Sequence, residues 1–414
     1  MPKKIIFLII IQFISLFGTH LSDFALSLYL YEQSHSISLY SYFSMMIVLP
    51  EIILAPIIGH YVDKFNKKWL MLIGHGGAGL SSLIILLLLK QDYQNFYIYL
   101  LLVMIGSFFN AMVFASFHVI IGYEVPKNSI EKASSIIELG FGLIMILSPA
   151  IGAYLLDNRG IFTIFYIDIA TFSLALIIIS QLSFKKATQK KEENNKNFFG
   201  TLKDNFIYIK SNKLLWLSLT LFALIQFNMA QTTVLITPVI LSISTKTVLG
   251  GIISLSGIGM LIASILLLKI KINRSLYWIN RFAMLQAIIL FLAILHVNII
   301  HIAIGSFLFM FFSSLLNITN YAYWQKEIDN EKKGQLFAIR NSIMMLSLMM
   351  GYLMSAPLVE ISKMALEHYS TLYNFIGTYL KPEIRLLFIF NGVVILIVSL
   401  IIERQRNKIY FLKA

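Results

Sequence analysis

The sequence predicts an all-α, polytopic membrane protein of twelve transmembrane helices in two six-helix halves. Three observations predict it. The 414 residues are 58% hydrophobic and 13% charged, with a mean hydropathy of +0.79, whereas soluble domains carry about 25% charge. Twelve windows stay apolar over the ~20 residues that a helix needs to cross a bilayer with every backbone amide satisfied internally. One long hydrophilic segment, residues 184–213, follows the sixth window and divides the chain six plus six.

The windows are 5–30, 37–61, 69–89, 96–122, 133–156, 161–183, 214–241, 248–268, 276–295, 299–324, 335–359 and 384–402. The first follows MPKK, exceeds a secretory apolar core in length and shows no small-residue cleavage site before the next polar turn, so it reads as an uncleaved span. Within the hydrophilic segment, Phe198 to Ile209 places apolar residues at helical spacing. That stretch reads either as a helix on the membrane surface or as plain linker. The expected domains are a six-helix bundle over 1–183, a basic linker over 184–213 and a second bundle over 214–414.

Charge fixes the expected orientation. With the N-terminus inside, the cytoplasmic segments hold Lys3, Lys4, Lys64, Lys67, Lys68, Lys127, Lys132, Lys269, Lys271, Arg274, Lys326, Lys332, Lys333, Arg404, Arg406, Lys408 and Lys413. The linker adds eight lysines, and the outer loops hold only Lys90, Arg159, Lys246, Lys363, Lys381 and Arg385. Lysine and arginine gather on the cytoplasmic side of membrane proteins, so both termini are expected inside. The net charge of +13 is then a topology signal, and no nucleic-acid partner is expected. The absence of cysteine excludes disulfides and thiolate metal sites. No phosphate-cradling glycine loop, H-E-x-x-H or G-x-S-x-G is present, so an enzyme is not expected.

Between the second and third windows stands GHYVDKFNKKWLM, Gly59 to Met71. It resembles the signature loop of the major facilitator superfamily, with Gly59, Asp63, Lys64, Lys67 and Lys68 in place and Asn66 where glycine is usual. Asparagine also tolerates the left-handed backbone of a tight turn. The resemblance implies two pseudo-symmetric bundles, alternating access and a cytoplasmic gate in which Asp63 faces the N-terminus of the eleventh span, with Arg340 as its latch partner. The fifth window contains LSPAIGAYL, where Ser148, Pro149, Gly152 and Ala153 partly match that superfamily's antiporter motif; small residues let helices approach closely and proline softens the backbone. The likeness runs from about residue 8 to about residue 400 and is nearest to the macrolide-efflux and enterobactin-exporter-like branch. It implies a monomer in a bacterial plasma (inner) membrane, binding a small-molecule substrate, driven by a proton gradient with no cofactor and no metal.

Polar residues inside the windows identify the candidate site. Gln12, Ser15, Thr19, Asp23 and Ser27 recur every three or four residues and share one face of the first span. An ionisable group facing lipid costs at least a few kcal/mol, so this face points inward. The resemblance makes spans 1, 4, 7 and 10 the cavity lining: Gln12 and Thr19; Asn110 and His118; Gln226, Asn228 and Gln231; Asn317, Asn320, Tyr321 and Trp324. A carboxyl group in a partly dry cavity can load and release a proton as the gates alternate. Asp23 is the first candidate, modulated by His20, with Glu51 and Asp168 behind it; the competing readings are a satisfied structural hydrogen bond for Asp23 and paired structural charges for Glu51 and Glu138, and for Asp168 and Glu138 the structural reading leads. His75, among glycines of the third span, reads as a packed side chain. The expected function is proton-coupled export of an amphipathic drug, siderophore or peptide metabolite. An uptake or lysophospholipid carrier of the same fold, and a non-transporting scaffold, are the alternatives.

Overall fold

The computed structural model describes residues 2–61, 66–126, 129–184, 198–270, 275–292, 298–328, 333–369, 373 and 381–411. Its helices are α1 (Lys3–Ser34), α2 (Ile37–Tyr61), α3 (Lys67–Lys90), α4 (Phe96–Glu124), α5 (Ile130–Arg159), α6 (Ile161–Gln181), α7 (Phe198–Ser211), α8 (Lys213–Leu241), α9 (Lys246–Lys269), α10 (Ser275–Leu292), α11 (Ile299–Glu327), α12 (Lys333–His368) and α13 (Pro382–Phe411). No strand occurs among the described residues. Eleven helices there are long and apolar enough to cross a membrane, and α2 contributes a shorter apolar stretch, Ile37–Ile53. Large apolar side chains such as Phe7, Trp69, Leu139 and Leu400 stand exposed on the helix surfaces. Hydrocarbon is the solvent that makes such faces stable. The chain is a multi-pass membrane protein.

Helix ends follow the local chemistry. Asn66, Asn95, Asn212 and Asn298 cap α3, α4, α8 and α11, each side chain accepting a hydrogen bond from a backbone N–H of the first turn. Asn66 therefore does not occupy the left-handed turn expected of it: its φ is −69°, and its oxygen accepts from the Lys68 N–H at 3.0 Å. Gly160, at φ +77°, is the single residue between α5 and α6, a backbone conformation that a side chain would strain. The twelfth element runs on past residue 359 to His368, so Lys363 lies on a helix and not in an outer loop. Residues 198–211 form a helix, α7, with Ile209 buried and Ile207 exposed. Asn205 of α7 donates to the Gln335 side chain of α12 at 2.8 Å.

The helices form two compact units, Met1–Glu192 with Lys246–Ser254, and Glu193–Thr245 with Leu255–Ala414. In the first, α1 packs on α5 and α6, α3 on α4 and α6, and α2 on α4. In the second, α8 packs on α12 and α13, and α10 on α11 and α13. Counted from the first helix of each set, the partners correspond, which is the packing of a parallel repeat.

The small-residue stretch of α5 packs tightly within the first unit. A Cβ on Gly152 would lie 3.0 Å from the Phe24 ring of α1, and one on Gly250 of α9 would overlap the Pro149 carbonyl and lie 2.6 Å from Ala153 Cβ. Ser254 Oγ donates to the Ile146 carbonyl of α5 at 2.5 Å. Asp157, near the end of α5, accepts from the Thr247 N–H and hydroxyl at 3.2 and 2.6 Å, a carboxylate set at a helix N-terminus where the dipole favours it.

Candidate functional site: a polar layer in the first unit

The core of the first unit divides into two apolar clusters. One takes Leu21, Leu26 and Leu30 from α1, Ile85 and Leu89 from α3, Tyr99 and Val103 from α4, and Ile161 and Phe165 from α6. The other takes Ile5, Leu8 and Ile11 from α1, Met71 from α3, Val113 and Phe117 from α4, and Ala175 and Ile179 from α6. Between the clusters each of these helices carries small or polar residues, among them Gly18 and Thr19 of α1, Ala78, Ser81 and Ser82 of α3, Gly106, Ser107 and Asn110 of α4, and Asp168 and Thr171 of α6, so four helices contribute one polar layer at mid-length. A cavity of about 30 Å³ lies in it, lined by Thr19, Ser22, Asp23, Ser81, Ser82, Ser107 and Asn110 together with Leu26, Ala78, Ile85, Val103, Gly106, Phe165 and Phe172. That is space on the scale of one or two waters.

Asp168 of α6 is fully buried beside this cavity. Its Oδ2 accepts from Ser22 Oγ of α1 at 2.9 Å and from Ser82 Oγ of α3 at 2.7 Å, while its Oδ1 has no hydrogen-bond partner. Gly18 makes this meeting of α1 and α6 geometrically feasible, since a Cβ there would overlap Thr171 Oγ1 and lie 3.0 Å from Asp168 Oδ1. Asp23 is half-buried on the cavity wall. His75 is buried with Nδ1 3.3 Å from Ser15 Oγ, which lies one turn of α1 before Thr19, a packed histidine as expected. No group of three or more His, Asp or Glu that could hold a metal occurs among the described residues.

Three of the predicted residues, Thr19, Asp23 and Asn110, thus meet at one cavity, with Asp168 adjoining. The others lie apart. Gln12 is buried further toward the α1 N-terminus, His20 is half-buried, Glu51 is exposed on α2, and His118 is exposed with its ring edge-on to Phe114 at 4.4 Å. Asp63 and Lys64 lie outside the described residues, as do the surroundings of Gly59. Lys67 is buried, and Lys68 donates through Nζ to the Ser180 carbonyl at the end of α6 at 2.6 Å. The serines of the layer escaped sequence reading, although SS at 81–82 and GS at 106–107 interrupt otherwise apolar spans.

In the second unit, Gln231, Asn320 and Trp324 of the predicted residues form buried polar links. Gln231 Oε1 of α8 accepts from Asn391 Nδ2 of α13 at 2.6 Å, and both are buried. Trp324 donates to Ser218 Oγ at 3.0 Å. Arg340 is buried over the rings of Phe222, Tyr321, Trp324 and Phe337, with a hydrogen bond to Asn320 at 3.3 Å. Guanidinium over aromatic faces is a favourable cation–π arrangement. Asn228 is buried, Gln226 half-buried and Asn317 exposed.

The sequence model of the Major Facilitator Superfamily matches residues 8–352. The chain belongs to this superfamily. Membership makes it a transporter of small molecules and not an enzyme. Among curated relatives of this major facilitator protein, it is 23% identical to "Macrolide efflux protein A" of Streptococcus pyogenes over 366 residues, 83% of this chain and 86% of that one. Solved structures share the fold: a variant of the nucleoside transporter NupG has a TM-score of 0.73 at 15% identity, covering 97% of this chain and 100% of its own. A bacterial homologue of the human lysosomal transporter Spinster, inward-facing and unoccupied, has a TM-score of 0.69 at 12% identity, covering 97% and 96%.

Proposed function

We propose that this superfamily member is a secondary active exporter of amphipathic small molecules, driven by the proton gradient, with both termini cytoplasmic. The observation that carries the proton reading is Asp23, a half-buried carboxyl group on the wall of a hydroxyl- and amide-lined cavity at mid-length of the first unit. An ionisable group at such depth is costly in a membrane and is a functional site by default. Export is favoured by the likeness to a macrolide efflux protein and by the small-Pro-x-x-small-small stretch of α5. A macrolide is therefore the first substrate to try, with siderophores and secreted peptide metabolites next.

Export is tested in inside-out vesicles, whose lumen corresponds to the cell exterior. With an acidified lumen, the wild type should accumulate labelled macrolide uphill. Asp23→Asn keeps size and hydrogen bonding but cannot titrate, so uphill accumulation should collapse while downhill exchange persists. Loss of both would make Asp23 a substrate contact, and a variant that still concentrates substrate would make it structural. Accumulation only in right-side-out vesicles would make the protein an uptake carrier.

A further inference from the structure

The first and second units carry the same buried polar link with different chemistry. Where α1 meets α6, Ser22 meets Asp168; where the corresponding helices α8 and α13 meet, Gln231 meets Asn391. The amide pair shows that a neutral link closes this seam. A carboxyl group does the same job at higher desolvation cost, and Asp168 leaves one oxygen without a partner while fully buried. The carboxyl therefore supplies something an amide does not, namely a place for a proton.

Donor counting shows how that proton is read. Ser22 Oγ lies 2.9 Å from Asp168 Oδ2 and 3.0 Å from the Thr19 carbonyl, yet a hydroxyl has one proton to donate. With Asp168 ionised, Ser22 donates to Oδ2. With Asp168 protonated, an O–H bond on Oδ2 donates to Ser22 Oγ, and the serine hydroxyl turns to the Thr19 carbonyl. Both states use the same heavy-atom positions, so the layer accepts a proton without repacking.

We propose that Asp168 is a proton-binding site buried in the first unit, and that Ser22 relays its protonation state to α1 beside Asp23. The inference deepens the proton-coupled reading above and rests on it. Asp23 lines the cavity next to Ser22. The other titratable groups on the elements packed against α6 near this depth are His20 of α1 and His75 of α3; between Leu139 and Leu156 α5 carries no carboxyl, imidazole, lysine or arginine, its one titratable group there being the Tyr154 phenol. Ser82 of α3 donates to the same carboxyl oxygen, Oδ2, at 2.7 Å.

Infrared spectroscopy of the purified full-length protein in lipid nanodiscs, titrated from acid to alkaline pH, reads the carboxylic acid C=O band directly. A titrating band should be present in the wild type and in Asp23→Asn, and lost in Asp168→Asn. In Ser22→Ala the band should shift in frequency, because its hydrogen-bond acceptor is gone. A band set unchanged by Asp168→Asn overturns the proposal. Should that variant fail to fold, an unshifted band in Ser22→Ala overturns it equally. Transport that needs a pH gradient, together with an Asp168-independent spectrum, would sink this site and leave the proton-coupled reading standing. The Asp168 band with gradient-independent transport would do the reverse.

Discussion

Gly18→Ala perturbs the site at its narrowest packing contact. The added methyl would overlap Thr171 Oγ1, lie 3.0 Å from Asp168 Oδ1 and 3.2 Å from Asp168 Cα. Thr171 cannot simply swing away without breaking its own 2.7 Å hydrogen bond to the Asp168 carbonyl, so α1 must back off from α6. Overpacking of this kind costs about 1–3 kcal/mol. For a unit of this size that corresponds to a fall in melting temperature of roughly 2–4 °C per kcal/mol. The same displacement lengthens the contact between Ser22 and Asp168, so gradient-driven transport should fall more than downhill exchange does. Thermal unfolding in detergent, followed by size-exclusion fluorescence, measures the first effect, and vesicle transport measures the second. Adding Thr171→Ala removes the worst overlap and should restore part of both. A Gly18→Ala protein with wild-type stability and wild-type uphill transport would refute the close α1–α6 seam.

The amide link of the second unit makes a matching prediction. Asn391→Ala leaves Gln231 buried and unpaired, which should destabilise by about 1–3 kcal/mol, whereas Gln231→Leu with Asn391→Leu should come close to wild-type stability; equal losses in the single and double variants would contradict a purely structural pair. Orientation can be tested with single cysteines, since the chain has none. Residues introduced at Lys190 and Lys408 should be protected from an impermeant reagent in intact cells and one at Lys363 should react, and external labelling of Lys190 would overturn the cytoplasmic placement of the termini.

Hydropathy made the spans legible because the bilayer imposes both their length and their composition. The first window, 5–30, became Lys3–Ser34 and the tenth, 299–324, became Ile299–Glu327. What hydropathy does not mark is where a helix continues into water, and α12 accordingly runs beyond its apolar stretch to His368. Asn66 was visible as a substitution in a signature loop, but only the structure shows it acting as an N-cap. Asp23 and Asp168 stood out because charge is rare in apolar sequence. Ser22 and Ser82 did not, because a serine in a membrane helix ordinarily bonds its own backbone, as Ser173 does to the Ile169 carbonyl. Their role exists only once three helices converge on one carboxyl.

Proton coupling of export is read directly from proton movement during transport. Inside-out vesicles carrying the wild-type protein, loaded with a pH-sensitive dye and given an acidified lumen, are challenged with external substrate. Substrate addition should raise the lumenal pH, as protons leave in exchange for substrate, and Asp23→Asn should abolish the signal. Substrate accumulation with no change in lumenal pH would contradict proton coupling.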